Sequence, residues 1–578
     1  MDQRTELVDC GNGVRLERGV RCRLGDGTTL VSDHYYPAGE GPWPTLLMRQ
    51  PYGRDVASTV VYAHPVWFAR HGYHVAIQDV RGRGGSEGEF YPFRNEGRDG
   101  AETIAWLRGH AASNGRIGMY GFSYQGATQL LAAAEQPGGL QCIAPHMTAT
   151  DLYHGWFYHH GALRLNSSLG WGIQMLREDA RRLGLREASD GLETAWANIG
   201  AQTAFVPYAE HPAIADAELP GYLRDWFAHR EAEEYWTELD VSTRLDRICV
   251  PGLHLAGWFD TYLEASIAGY LALREHAGSE FARENQYLIA GPWAHIPWGD
   301  RSGDVNFGKA ANLDTDAILL KWFDHWLKDA DTFGDEPRIR HFALGANTWR
   351  SAAEWPARAE YPLYLHSKGN ANSRKGDGRL NTEAPGEDGS LGDEPRDVFV
   401  YDPEVPVRAP GGPQALSGPF DQSVLEMGNN LLVYTSDPVG SETEFFGYPR
   451  VKLYAATSAA KADFTAKIAR VTANGRAEFI SIGIARSSWL FRDPGYSADE
   501  VHDWEFTLEP VSFVLAAGER LRLEIASSAF PLYDRNSSTD VAPQLANNWN
   551  WGRSTQQVLH TTTYPSVLYL PVKGDAGW

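Results

Sequence analysis

Arg116-Ile-Gly-Met-Tyr-Gly-Phe-Ser-Tyr-Gln-Gly126 is the stretch on which the fold turns. Ile117 and Met119 alternate as in a strand, Gly121 and Gly126 bracket a sharp turn, and Ser123 stands at its tip. Downstream, Ala127, Leu130, Leu131 and Ala134 recur at i, i+3, i+4 and i+7, the buried stripe of a helix. A serine on such a turn is held clear of its neighbours, at a helix N-terminus whose N–H groups point toward it. The pattern predicts a nucleophile elbow. Its spacing is G-x-S-Y-x-G, with Gln125 where the generic motif has its second glycine. A serine hydroxyl is a weak nucleophile alone, so the rest of the chain has to supply a base, a carboxylate and oxyanion donors.

Upstream, Pro44–Met48 and His74–Gln78 are short apolar runs, which predict parallel strands joined by a helix around Pro65–His71. The first run leads into Arg49-Gln-Pro-Tyr-Gly53, so Tyr52 falls just past a strand end, where open α/β sheets carry their sites. The second enters the glycine-rich loop Asp79–Gly88, which lacks the Gly-Lys-Ser/Thr of a phosphate-binding loop. Asp99–His110 reads as a helix with Ile104 and Leu107 on one face. The short alternations within residues 1–40 predict antiparallel strands at a sheet edge.

Downstream, helical periodicity dominates 145–240, as in Trp171–Leu185, and aromatic residues crowd the segment. This predicts an all-helical cap inserted into the sheet domain. Val250–Ala256 then reads as a strand ending in Gly257-Trp-Phe-Asp260, and Gln286–Ala290 as one ending in Gly291-Pro-Trp-Ala-His295. A helix bearing Ile318, Leu319, Trp322, Phe323 and Trp326 closes the domain. Beyond about Gly345 the helices stop. Leu521, Leu523 and Ile525 alternate with Arg520, Arg522 and Glu524, and Asn474-Gly475 is a hairpin turn after Phe464, Ala466 and Ile468. Residues 368–396 read as a polar surface loop. The fold class is therefore α/β, an α/β-hydrolase domain (1–144 and 241–345) with a helical cap (145–240) and a C-terminal all-β jelly roll (346–578).

Asp260 and His295 each sit on a glycine- or proline-marked turn directly after an apolar run, downstream of Ser123. Ser, Asp, His is the α/β-hydrolase order. The imidazole would take the serine proton, and the carboxylate would fix its tautomer. Other constellations fail. There is no H-E-x-x-H; Asp329-Ala-Asp331 opens like a calcium loop but has Arg340 at its twelfth position; His159-His160 alone is no ligand set. No metal or organic cofactor is expected.

Composition sets outer limits. A chain of 578 residues exceeds one core, and a net charge of −22 disfavours nucleic acid and anionic membrane as partners. No apolar run is long enough to span a bilayer, and the N-terminus lacks the basic and apolar regions of a secretory signal. The four cysteines show no C-x-x-C spacing, so reduced thiols in a cytoplasm are the default. Twenty Trp suit wide apolar pockets or large interfaces, and a homodimer stays open.

With these residues in place the chain resembles the cocaine-esterase family, relatives of Xaa-Pro dipeptidyl-peptidases and α-amino acid ester hydrolases. The carriers are Arg49–Gly53, Asp79–Gly88, Gly121–Gly126, Gly257–Asp260 and Gly291–His295, with Asp463-Phe-Thr-Ala-Lys467 and Tyr533-Asp-Arg-Asn536 in the β domain. The resemblance implies Ser123 as nucleophile, His295 as base, Asp260 as its orienter, and an oxyanion hole from the Tyr52 hydroxyl and the Tyr124 backbone N–H. It places Trp156, Phe157, Trp171 and Tyr262 around the acyl pocket. Where cocaine esterase presents a Leu-Phe pair, this chain has Gly411–Asp421, in which Leu416 or Phe420 would substitute. The implied activity is hydrolysis of small-molecule carboxylic esters with bulky or aromatic acyl groups. The alternatives are an amide or peptide hydrolase, such as a Xaa-Pro dipeptidyl-peptidase or a β-lactam acylase, and more remotely a non-catalytic binding protein. Glu264, the nearest acid after Asp260, reads as a residue one helical turn on that faces solvent.

Overall fold

The computed structural model describes residues 6–55, 59–386, 395–412, 417–491 and 495–578. Strands β1 (Glu6–Asp9), β2 (Arg15–Arg23) and β3 (Thr29–Tyr36) run antiparallel along one flank of the main sheet. Then β4 (Trp43–Gln50), α1 (Pro65–Arg70) and β5 (His74–Asp79) form the first crossover, with β4 and β5 parallel. Helix α2 (Glu96–Arg108) leads to β6 (Ser113–Phe122), and α3 (Tyr124–Ala134) to β7 (Leu140–His146). Every residue of β5 is buried, because helices cover both faces of a parallel sheet. Helix α1 begins at Pro65, whose missing N–H costs nothing there, and the His64 side chain accepts from the Val66 N–H.

The cap follows β7. It opens with a π-helical turn (Tyr153–Phe157) and a hairpin of β8 (Tyr158–His159) and β9 (Ala162–Leu163). Six helices come next: α4 (Leu165–Leu183), α5 (Arg186–Ala197), α6 (Ile199–Ala204), α7 (Pro212–Ala215), α8 (Tyr222–Ala228) and α9 (Glu234–Leu239). The cap is thus not all-helical as expected. Strands of two residues are too short to print an alternation, so the hairpin left no periodic signal.

The sheet resumes with β10 (Gly252–Phe259), α10 (Leu263–His276), α11 (Glu280–Glu284) and β11 (Gln286–Ala294). A small hairpin, β12 (Arg301–Ser302) and β13 (Val305–Asn306), precedes α12 (Thr315–Lys328). Leu319, Trp322 and Phe323 of α12 are fully buried on the sheet face opposite α3. Gly118 of β6 makes that approach possible, since a Cβ there would lie 2.8 Å from the Phe323 ring. The sheet ends with β14 (Ile339–Ala343) and an antiparallel β15 (Thr348–Ala352), in the order β1-β2-β3-β5-β4-β6-β7-β10-β11-β14-β15. The expected division after residue 345 therefore falls inside the β14–β15 hairpin.

The remainder is an all-β domain. Asp463–Val471 pairs antiparallel with Ala477–Arg486 on one side and Arg520–Ala526 on the other, with Gly475 at φ 82° in the turn. Helix does not vanish: short turns at Leu425–Met427 and Ser487–Leu490 interrupt the strands. Arg522 and Glu524, polar by alternation, are buried and paired, Arg522 with Glu426 and Glu524 with Lys467 at 2.7 Å. The polar segment 368–396 is not wholly loop, since Arg379–Asn381 joins the sheet; residues 387–394 lie outside the described residues. Among the described residues, no helix is long and apolar enough to cross a membrane.

Charges hold the cap to the β domain. Asp534 is fully enclosed and accepts from Arg486 at 3.0 Å and from the cap's Arg230 at 2.7 Å; Arg486 also meets Asp463 at 2.8 Å. Burial alone would raise the Asp534 carboxyl, but Arg486 and then Arg230 outweigh it and hold it below the usual carboxylate range. Asp534→Ala would leave two guanidinium groups buried and under-compensated, and it is expected to cost about 3–5 kcal/mol in urea unfolding. Because the folded-state pKa is depressed, the contribution is present at neutral pH and fades only as strong acid protonates the carboxylate. A midpoint unchanged from wild type would show that the pair is not what joins these parts.

Candidate active site

The elbow predicted from the sequence is present. β6 ends at Phe122, Ser123 adopts φ 60° and ψ −128°, and α3 starts at Tyr124. A non-glycine residue at positive φ is strained, by about 1–3 kcal/mol, and such strain collects at functional sites. Both glycines are required. A Cβ on Gly121, itself at φ 139°, would lie 2.4 Å from Gln125 Cβ, and one on Gly126 would lie 2.8 Å from Thr148. The Ser123 N–H donates to the His146 carbonyl at 2.9 Å, which ties the turn to the end of β7. Tyr124 occupies the first position of α3, so its N–H has no carbonyl within its own helix. Its side chain points away: the hydroxyl donates to Glu96 at 2.8 Å and accepts from the Phe93 N–H at 2.9 Å. Glu96 in turn meets buried Arg49 at 2.9 Å, which explains the arginine of the Arg49–Gly53 stretch.

Tyr52 follows the end of β4, its N–H fixed on the Gln50 side-chain oxygen at 2.7 Å. Its phenol is enclosed close to the Trp171 indole N–H and the Ser123 hydroxyl, which both offset part of the burial penalty on it. Burial pushes the phenol up to about 12, so it keeps its proton and remains a donor. Asp260 is completely buried just beyond β10, and His295 lies just beyond β11. His295 Nδ1 and Asp260 Oδ1 are 2.7 Å apart. The imidazole packs on Phe122, the residue before the serine, with ring centres 5.2 Å apart, and edge-on against Tyr262, also at 5.2 Å. This packing brings His295 up to the elbow without a hydrogen bond from its imidazole to the Ser123 hydroxyl. Catalytic hydrogen bonds are often slack in an empty site and tighten when substrate binds.

An aromatic wall rises from this point. Tyr262 meets Trp156 at 4.3 Å, Trp156 meets Trp171 at 5.5 Å, and Trp171 meets Tyr124 at 5.9 Å. Three of the residues named for the pocket, Trp156, Trp171 and Tyr262, are therefore contiguous with His295. Phe157 sits a layer behind, packed on Trp226 at 4.5 Å and Trp236 at 5.0 Å. Phe420 lies elsewhere, against Gly303 of the β12–β13 hairpin and against Gly411, with no recorded ring contact to the wall. Leu416 falls outside the described residues. Sequence reasoning missed Phe93, which touches both Trp156 at 5.1 Å and Trp171 at 5.8 Å; nothing in its own segment marks it.

Glu264 does not face solvent. It turns inward to His159 Nε2 at 3.3 Å and to the Arg164 guanidinium at 3.8 Å. Arg164 also holds Glu509 of the β domain at 3.2 Å. Burial first, and then the charge of Glu264, push the Glu509 carboxyl up to about 8 against the pull of Arg164. Arg164 thus hydrogen-bonds Glu509, and Glu264 stands near the same guanidinium without a hydrogen bond to it. His159 and His160 share this corner, where the Arg164 cation makes a poor neighbour for a metal ion. Glu509 was unreadable in sequence because it lies in another domain, with no motif around it. The calcium-like Asp329 is a helix cap at φ 56° that pairs with Arg116 at 2.8 Å.

Comparison with known proteins agrees with this layout. The family model of X-Pro dipeptidyl-peptidase (S15 family) matches residues 26–297, and that of the X-Pro dipeptidyl-peptidase C-terminal non-catalytic domain matches 331–569. Cocaine esterase of Rhodococcus sp. (strain MB1 Bresler) is 31% identical over 96% of this chain and 98% of its own. An aminopeptidase of a Thaumarchaeota archaeon superposes with a TM-score of 0.78 at 23% identity, over 99% of both chains. An α-amino acid ester hydrolase gives the same TM-score and identity over 99% of this chain and 98% of that one.

Proposed function

The chain belongs to the cocaine-esterase family and is a hydrolase, and from that premise we propose that it is a serine esterase acting through an acyl-enzyme on Ser123. One observation carries the proposal: Ser123 stands on a strained elbow close to the Tyr52 phenol, beside an imidazole already paired with buried Asp260. In this reading Ser123 Oγ attacks the ester carbonyl while His295 Nε2 takes its proton. Asp260 keeps the other proton on Nδ1. The oxyanion receives the Tyr124 N–H and the Tyr52 hydroxyl, both on stiff supports. His295 then hands its proton to the departing alkoxide, and water repeats the sequence on the acyl group to release the acid. No step calls on a metal or organic cofactor. The four unpaired cysteines fit a reducing cytoplasm.

Tyr52→Phe tests the hole. It removes one donor and leaves the ring, so it is expected to lower kcat about 10²-fold with the fold intact. An unchanged kcat, with acylation shown to limit the rate, would remove Tyr52 from the hole.

The wall of Trp156, Trp171 and Tyr262 favours a bulky uncharged acyl group. An enzyme that reads an α-ammonium needs a carboxylate free to pair with it, because a desolvated charge is costly otherwise. Arg164 counters the acids nearest Asp260, hydrogen-bonded to Glu509 and close to Glu264. p-Nitrophenyl benzoate and butyrate are therefore expected to show higher kcat/KM than Gly-Pro-p-nitroanilide or phenylglycine methyl ester. Faster cleavage of either amine-bearing substrate would transfer the chain to the peptidase or amino-ester side of the family.

A further inference from the structure

At the end of the sheet remote from Ser123, three histidines from separate elements converge. His34 comes from β3, His74 is the first residue of β5, and His110 follows α2. Thr45 of β4 is level with His74 on one side and Ile117 of β6 on the other, so the cluster is about 20 Å of strand from the elbow. Ring centres lie 4.9 Å apart for His34–His74 and 5.4 Å for both His34–His110 and His74–His110. One ring nitrogen from each lies within 4.8 Å of the other two. With zinc–nitrogen bonds of about 2.0–2.1 Å and tetrahedral angles, imidazole centres around one ion stand about 5 Å apart.

The outer nitrogens are held as ligand histidines require. His34 Nε2 is 2.9 Å from the Ser32 hydroxyl, which can pass its own hydrogen to the Val20 carbonyl at 3.4 Å. His74 Nδ1 is 3.2 Å from the Thr45 hydroxyl, which donates to Ser113 at 2.9 Å. Both hydroxyls can accept from an imidazole N–H, which turns a lone pair of each ring inward. The inward nitrogens, His34 Nδ1 and His74 Nε2, face each other at 2.9 Å. In the apo cluster one of them carries the proton between them. Shifting it to the outer nitrogen of the same ring, which faces the Ser32 or Thr45 hydroxyl, frees both lone pairs with no net proton uptake. His110 Nδ1 accepts from the Ala112 N–H at 3.2 Å, a second contact that binding has to loosen.

The surroundings select a neutral trio. Tyr36 stacks on His74 at 5.1 Å and hands its hydroxyl to Glu17, the one acid acting on the cluster, at 2.7 Å. Burial first, and then the other imidazoles, hold His34 well below its ordinary value and His74 at about 3. Burial lowers His110 too, although Glu17 opposes it. Neutral imidazole is the form that binds a transition metal. His34 and His74 are fully buried and His110 is partly exposed, so an ion would enter on the His110 side.

We propose that His34, His74 and His110 form a binding site for one zinc ion, with water as the fourth ligand, that ties the end of α2 to β3 and β5. It is separate from catalysis, and the spacing of its residues carries no metal motif, so the sequence alone gave no sign of it.

The test uses the full chain after chelator treatment, titrated with Zn2+ against a chromophoric competitor, and with Co2+ for its visible spectrum. One equivalent is expected to bind, with tetrahedral cobalt bands and a rise in thermal midpoint. Fluorescence of Trp106, whose ring lies 5.3 Å from that of His110, is expected to fall with Co2+. Loss of one of three ligands in His110→Ala should weaken Zn2+ at least ~100-fold, more than the ~10–100-fold typical of an outer-shell change. His34→Gln should do the same, and His160→Ala should leave affinity unchanged. His110 is partly exposed, so its variant is expected to fold, as far-UV circular dichroism would verify. No binding tighter than about 100 μM, or equal affinity in folded His110→Ala, would overturn the proposal, since a built site should far exceed that.

Discussion

Ser123→Ala is expected to lower kcat by at least ~10⁴-fold while the protein keeps its fold. The size follows from the chemistry, because without Oγ there is no covalent intermediate, and only the oxyanion donors and substrate binding remain to assist water. The fold should persist because the elbow is held by backbone and glycines: the Ser123 N–H on the His146 carbonyl, and the close contacts at Gly121 and Gly126. Alanine tolerates φ 60° no better and hardly worse than serine, so the thermal midpoint should move little. Activity within tenfold of wild type would dismiss Ser123 as nucleophile, whatever the state of the fold.

The second large effect is expected at the buried pair. Asp260→Asn should reduce kcat by about 10⁴-fold. An amide at position 260 can donate to His295 Nδ1, and that would place the imidazole proton on Nε2, the nitrogen that has to receive the serine proton. His295→Ala should be at least as severe. In the wild-type enzyme, kcat/KM for a neutral ester should fall on the acid side with one ionisation, because a protonated imidazole has no lone pair to act as base. A flat profile from weakly acid to neutral pH, or an active His295→Ala, would exclude His295 from that role.

The site was legible in sequence wherever a strand ran into a marked turn. Tyr52, Ser123, Asp260 and His295 all lie within a few residues of an apolar run that becomes a central strand, and the structure brings them to one rim. Local periodicity thus sufficed for placement. It could not reach contacts between domains. The direction of Glu264 is set by Arg164 in the cap, and Arg164 is itself held by Glu509, 345 residues further along. The same limit hid Phe93 behind Trp156 and the meeting of His34, His74 and His110. Alternation misled in the β domain for a different reason. Arg522 and Glu524 follow the polar rhythm of an exposed face, yet both are buried because Glu426 and Lys467 neutralise them. The β8–β9 hairpin was invisible because two residues make no period.

The acyl-enzyme on Ser123 is the centre of the account, and a fluorophosphonate probe tests it most directly. The intact protein is treated with the probe, digested, and read by peptide mass spectrometry. One adduct is expected, on the peptide that carries Ser123, with loss of esterase activity in proportion to labelling and no labelling of Ser123→Ala. Labelling at another serine with activity lost in step, or full activity after complete modification of Ser123, would contradict it.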